Sequence, residues 1–483
     1  MKKQAILSLL VAAMLCSPLL TACGNAAEND TNTDTTNTPA AAQTETVPEW
    51  VLPAQDFGGE SVTFFLRKTG GDWSADDVVA EEMNGITIND AVYTRNTQIE
   101  DACNVQIVGV DAPLGGSIRD AARNSILAAD NAFDVTASDR FDAAQLMTEG
   151  TLQDLQSMEY LQLSQSWWNP YYTAETSVNN KVYYALGDIS RVWKLGVRCL
   201  FFNKDLATEL QLPDLYTVVE EGDWDFETFF SLASLANIDL NGDGEMGEDD
   251  CYGIQAQSTL AIVLATGGGL RITDKDENDI PILAIDTESN LSLMESLSTL
   301  IDTNRTTIHY SDNWQNTQRR FASNQVLFQA EVMLLLEALR AEEVNVGVLP
   351  TPKRSVDQEQ YIGYLDSNCQ IVYAIPTTCT DVDRVSYVLE AMAQGSVDTL
   401  TPAFYDICLN GKYIRDEESS AMLDIIFACC RTESAETFGW GGLYGSLTTA
   451  ISRGTIASTV QSGAKATEAA MQKTIESILQ SNG

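Results

Sequence analysis

Residues 133–155 read Phe133-Asp134-Val135-Thr136-Ala137-Ser138-Asp139-Arg140, then FDAAQLMTEG from Phe141 to Gly150, then Thr151-Leu152-Gln153-Asp154-Leu155. A short β-prone run (133–137), a polar break at Ser138-Asp139-Arg140, and a helical run from Ala143 to Glu149 follow one another within this stretch. The same order recurs upstream. Ser61–Leu66 (SVTFFL) and Asn104–Val110 read as strands, and Ile88, Val92, Ile99 and Cys103 fall at helical spacing on a segment from about Asn89. A further helix is predicted near 116–128. Strands alternating with amphipathic helices imply βαβ units and a mainly parallel sheet, so the fold class is α/β. In such sheets ligands bind beyond the carboxyl ends of the strands, which puts Ser138-Asp139-Arg140 within reach of a ligand. Ser138 or Asp139 would equally serve as a helix cap there.

Downstream, the aromatic-rich Trp167–Tyr172 and Lys181–Asp188 are followed by Arg198-Cys199-Leu200-Phe201-Phe202-Asn203, a strand running into a helix. Another helix starts near Asp225, where Trp224 is assigned to packing. Val344–Pro350 reads as a strand, Tyr361–Ile375 as a strand passage, and the tail from about 382 as mainly helical. Thr266–Leu270 (TGGGL) matches neither phosphate-binding glycine pattern.

The amino terminus reads as an address. Lys2 and Lys3 precede an apolar run, Ala5–Leu20, which ends in Leu20-Thr21-Ala22-Cys23-Gly24. A short apolar segment closed by small residues is a secretory signal, and a cysteine directly after the cut marks lipidation. Residues 1–22 are therefore expected to be a lipoprotein signal peptide, with Cys23 carrying the lipid at the extracytoplasmic face of the cell membrane. Residues 24–48, GNAAENDTNTDTTNTPAAAQTETVP, contain no aromatic residue and cannot bury enough apolar surface to order themselves. The disordered tether is placed over 23–57, holding the globular part on the order of 25–30 Å from its lipid.

The formal net charge of −41 argues against nucleic acid as a partner, since phosphate binding runs on Lys and Arg. By itself it says nothing about a cationic substrate, because acidic surfaces keep proteins soluble. Eight cysteines follow Cys23 (Cys103, Cys199, Cys251, Cys369, Cys379, Cys408, Cys429 and Cys430), scattered without a C-x-x-C motif, and read as buried small hydrophobes. Cys429-Cys430 closes the apolar run AMLDIIFACC and reads as helix packing. His309 is the only histidine, which excludes a zinc site built on several histidines, and no G-x-S-x-G accompanies it. It is read as structural.

Asp239–Asp250 (DLNGDGEMGEDD) fits the twelve-residue calcium loop. Asp239, Asn241 and Asp243 stand at positions 1, 3 and 5, Gly244 at the turn, Glu245 at position 7 and Asp250 at position 12. A structural Ca2+ is expected there. Asp250 in place of Glu shortens the closing ligand, and Cys251–Ile254 looks extended, so no second helix completes an EF-hand.

Taken in order, several passages resemble the extracellular solute-binding proteins of bacterial ABC importers, the maltose-binding-like family 1. They are the lipidation signal; Asp134 to Leu155; Asn180-Lys181-Val182-Tyr183 to Gly187; Phe202-Asn203-Lys204-Asp205-Leu206; Gly222–Phe229; Val346–Pro352; and Arg415–Ser419. Asn180 departs from the glycine of the pattern. The resemblance covers nearly all of residues 58–483. It implies a two-lobed periplasmic-binding-protein-like fold of type II, with a hinge between lobes: 58–186 plus 364–410 as one, 187–363 plus 411–483 as the other. It further implies a monomer that captures a carbohydrate (oligosaccharide or glycoside) between the lobes and delivers it to permease subunits, without catalysis. Sugar sites combine flat aromatic faces with polar side chains. The candidates in loops and at crossings are Trp73, Asp139, Arg140, Trp167, Trp168, Tyr171, Trp193, Trp314, Tyr364, Asp366, Trp440 and Tyr444. The sequence leaves two alternatives open, a surface glycoside hydrolase using paired carboxylates and a non-catalytic adhesin.

Overall fold

The computed structural model describes residues 52–340, 342–409 and 417–481. Cys23, the signal segment 1–22 and the tether up to residue 51 lie outside them, as do Arg415 and Asp416. Thirteen strands are described: β1 (Glu60–Leu66), β2 (Val105–Asp111), β3 (Val135–Asp139), β4 (Val197–Asn203), β5 (Tyr252–Ala256), β6 (Thr273–Lys275), β7 (Pro281–Leu283), β8 (Ile308–Tyr310), β9 (Val326–Val332), β10 (Val346–Leu349), β11 (Gly363–Leu365), β12 (Ile371–Ala374) and β13 (Cys430–Arg431).

They form two main sheets. The first has the order β12-β3-β1-β2, with β1 parallel to both β2 and β3 and β12 antiparallel to β3. β1 is central because its β-branched and aromatic residues are wanted on both faces: Val62 and Phe64 look into one core, Phe65 into the other. Helix Thr87–Cys103 buries Ile88, Val92, Ile99 and Cys103, the face read from their spacing. It ends on Asn104 at φ 48°, a left-handed cap that asparagine tolerates.

The second sheet runs β13-β11-β4-β9-β5-β8, with β10 also on β4. Its pairings are evenly divided. β5 is parallel to β8 and β9, and β11 to β13, whereas β4 runs against β9, β10 and β11. β6 and β7 make a separate ribbon. The chain leaves the first sheet after β3, enters the second at β4, and returns between β11 and β12 through residues 366–370. The passage Tyr361–Ile375 is therefore two short strands in two different sheets. Trp224 is fully buried, its indole N–H donating to the Pro350 carbonyl at 2.9 Å. Helix Glu417–Ala428 stops short of the cysteine pair, and Cys430 opens β13, so Cys429-Cys430 is a helix-to-strand junction. All eight cysteines of the described residues are free thiols, and all but Cys379 are buried.

Candidate functional site: a cleft between the two sheets

Two strands of the second sheet carry charge where their neighbours are apolar. Arg198 lies in β4 and Glu331 in β9, both buried. A charged group inside a sheet must be paired to offset lost hydration. Arg198 donates from Nη1 to Glu331 Oε1 at 3.0 Å and from Nη2 to Asp366 Oδ2 at 2.6 Å and Gln257 Oε1 at 3.1 Å. Gln257 closes the ring, donating to Glu331 Oε2 at 2.9 Å. Burial pushes the Glu331 carboxyl above its ordinary range against the pull of Arg198. Burial acts upward on Asp366 too, but Arg198 outweighs it and holds Asp366 below the usual range.

This network floors a cleft of about 600 Å³. From the first sheet's side come Asp72 and Trp73, in the segment after β1. That segment is held by Arg67, whose Nη1 donates to the Trp73 carbonyl at 2.6 Å and whose Nε lies 3.3 Å from Asp139. From the second come Trp314, first residue of helix Trp314–Ala322, and Glu337 of helix Leu335–Leu339. Arg191 pairs with Glu337 at 2.5 Å. Asn368 and Cys369, in the return crossing, complete the wall. The arrangement offers two indole faces, several carboxylates, and amides that can meet hydroxyls.

Of the residues expected to bind ligand, Trp73, Trp314 and Asp366 line this cleft. A second group meets in a buried polar knot instead. β3 runs two residues past its expected end at Ala137, so Ser138 and Asp139 pair with β12. Asp139 caps helix Arg140–Thr148, accepting from Asp142 N at 2.9 Å. Arg140, fully buried, pairs with Glu436 at 2.6 Å and hydrogen-bonds Thr432. Tyr364 donates to the same Glu436 at 3.0 Å and stacks on Tyr444 with ring centres 6.2 Å apart.

The remaining candidates are spent on packing. Trp167 and Trp168 point their indole N–H groups at the two oxygens of Glu390, at 2.7 and 2.8 Å, because two buried donors need a shared acceptor. Trp193 packs edge-on to Phe427 beneath the Lys194 ammonium. Trp440 stacks on Phe438 and donates to Thr474 at 3.0 Å. Tyr171 lies under Arg431 and reaches Gln360 at 3.3 Å. Asp72, Arg198, Gln257, Glu331, Glu337, Asn368 and Cys369 were not among the expected residues. For Arg198 and Glu331 a signal existed: a lone charge in VRCLFFN and in VLFQAEV.

Around the 239–250 loop, Asp239 accepts from the amides of Gly242 and Gly244 at 2.6 and 2.8 Å, and Asp250 from Leu240 and Gly247 at 2.9 and 2.6 Å. Asn241 and Asp243 accept from Asp243 N and Glu245 N. Among the described residues no group of three or more His, Cys, Asp or Glu side chains is gathered as for a metal ion. His309 lies 3.4 Å from Glu248 and beside Tyr252, its pKa lowered by burial and by Arg320.

No protein-family model matches the sequence, and no curated protein matches it. Solved structures do. A cyclo/maltodextrin-binding protein complexed with maltotetraose superposes with a TM-score of 0.53 at 12% identity, over 87% of this chain and 96% of that one. UspC of M. tuberculosis gives 0.53 at 14% identity, over 85% and 100%. RafE from Streptococcus pneumoniae gives 0.52 at 16%, over 87% and 100%. At these identities the likeness is one of architecture. The chain has the two-lobed, periplasmic-binding-protein-like α/β fold of type II, its sheets flanked by helices.

Proposed function

We propose that this protein is the solute-capturing component of a bacterial ABC importer, of the maltose-binding-like family 1, and that it takes a carbohydrate into the cleft and releases it unchanged to permease subunits. The observation that carries the reading is the cleft itself. Trp73 and Trp314 come from segments attached to different sheets and face one space of about 600 Å³ with carboxylates and amides between them. Indole faces suit the C–H face of a pyranose, and the polar groups suit its hydroxyls. The shared fold with a protein holding maltotetraose supports the same reading. The lobes are taken as 58–186 plus 364–410 and 187–363 plus 411–483, except that Tyr364 and Leu365 pair with β4 and go with the second lobe, and closure is about the crossings after β3 and between β11 and β12.

Cys23 is proposed as the lipid attachment, with residues 1–22 removed, which would hold the protein at the extracytoplasmic face of the membrane. No helix of the described residues is long and apolar enough to cross a bilayer. Calcium in the 239–250 loop is proposed on the sequence pattern alone, each carboxylate oxygen having a lone pair beyond its amide bond.

Titration calorimetry of the mature chain against mono- to tetrasaccharides, with chromatography of the recovered ligand, tests the reading. Saturable binding with intact sugar is expected. Released hydrolysis products, or no carbohydrate affinity at all, would remove it.

A further inference from the structure

The residues lining the cleft carry more negative than positive charge. Four carboxylates line it, those of Asp72, Glu331, Glu337 and Asp366, and Arg198 is the only basic residue among the lining residues. Arg198 is paired through Nη1 with Glu331 and through Nη2 with Asp366 from within the floor. Two cations stand at the rim: Arg191 pairs with Glu337 and approaches Asp77 at 4.0 Å, so it is shared between two acids, and Arg67 is neutralised by Asp139 at 3.3 Å. Asp72 forms no ion pair among the described residues. Even with Arg191 counted, the carboxylates exceed the guanidinium groups by two. Of the two amides present, Gln257 is used on Arg198 and Glu331, and Asn368 makes only a long contact, donating from Nδ2 to Asp366 Oδ1 at 3.4 Å. This local imbalance is a different matter from the chain-wide acidity, which only keeps the surface soluble. It sits in the cavity, next to two indole rings whose faces attract cations as well as sugar C–H groups.

Resting on the carbohydrate reading above, we propose that the solute is a carbohydrate carrying a protonated amine, an amino sugar or amino glycoside whose ammonium is met by Asp72 and Glu337 while a ring lies on Trp73 or Trp314. A uronic acid or sugar phosphate is excluded by like-charge repulsion in the same place. A neutral sugar could hydrogen-bond these carboxylates through its hydroxyls but would leave their charge unmatched, which an ammonium does not.

The test compares glucosamine oligomers of one to four units with glucose oligomers of the same linkage, in which a hydroxyl replaces each ammonium at nearly constant shape, and with their fully N-acetylated counterparts, which lose the charge but gain an acetyl group on each ring, by titration calorimetry on the mature chain. The amine form is expected to bind on the order of tenfold more tightly, with the advantage shrinking as salt rises, as charge-assisted contacts do. Asp72→Asn, a change at an exposed loop position, is expected to reduce that ratio about threefold or more. Glucose or N-acetylated oligomers binding as tightly as the amines, or an unchanged ratio in the variant, overturns the proposal while carbohydrate capture stands. Spermidine outcompeting every amino sugar also overturns it, by showing that the amine is recognised without a ring. Failure of all three oligomer series and of other neutral sugars sinks the carbohydrate reading itself.

Discussion

Four tryptophans show how one residue type is put to opposite uses by its surroundings. Trp224 is sealed among Phe229, Phe328 and the Pro350 carbonyl, while Trp168 is held by Glu390. Trp73 and Trp314 are half-buried and present a face to the cleft. Trp224→Ala is therefore expected to cost about 3–5 kcal/mol of stability, read by chemical denaturation, because it opens a large cavity in a packed core. Trp314→Ala is expected to leave the melting temperature within a few degrees while weakening solute affinity roughly tenfold, the scale of losing one aromatic contact. A Trp314→Ala protein that melts early but binds normally once folded would move that indole from site to scaffold.

At the level of elements, β3 and the 239–250 loop repay comparison. β3 was expected to end at Ala137 and instead runs to Asp139, because β12 supplies hydrogen-bonding partners for Ser138 and Asp139 from far along the chain. A remote partner of this kind leaves no mark on the local pattern. The loop shows the reverse: its pattern is entirely local, and its Asp and Asn side chains already cap neighbouring amides. Millimolar Ca2+ is expected to raise the melting temperature relative to chelator, since a ligand of the folded state stabilises it. Asp239→Asn with Asp243→Asn is expected to abolish the increment. Equal melting curves with Ca2+ and chelator would leave the loop as a self-capped turn.

The whole molecule carries its charge unevenly, and this sets its response to pH. Burial raises the carboxyls of Asp77, Glu175, Glu331, Glu390 and Glu433, the last to about 7, where burial is reinforced by Glu175. Each binds its proton more tightly when folded, so its stabilising contribution is present below its unfolded pKa and is lost as pH rises through the folded one. Asp56, Glu248, Asp250, Asp276 and Asp366 are lowered and act oppositely, losing stability only in more acidic solution. Between about pH 5 and about pH 8 the raised carboxyls govern, at up to about 1.4 kcal/mol per proton per unit and mostly below the folded value of Glu433, with self-repulsion of an acidic chain adding in the same direction and the lowered pKa of His309 alone opposing them. Stability by denaturation is thus expected to fall across that interval, and Glu433→Gln to flatten the slope near neutrality. Rising stability over the same interval would contradict the assignment of these buried acids.

The α/β class, the helix faces such as Ile88-Val92-Ile99-Cys103, and the packing role of Trp224 were legible in the chain because each follows from periodicity or composition within a short window. The cleft was legible only in part. Trp73, Trp314 and Asp366 were named for lying in loops and crossings, the same reason that drew in Trp167, Trp168, Trp193 and Trp440, whose indoles are buried in packing. Whether an indole finds a carboxylate such as Glu390 or faces an open space depends on segments more than two hundred residues away. The pairing of Arg198 with Glu331 and Asp366 likewise needed β4, β9 and the crossing after β11 brought side by side. Local order is written in neighbouring residues; the site is made by distant ones, and only their packing decides which side chains share a space.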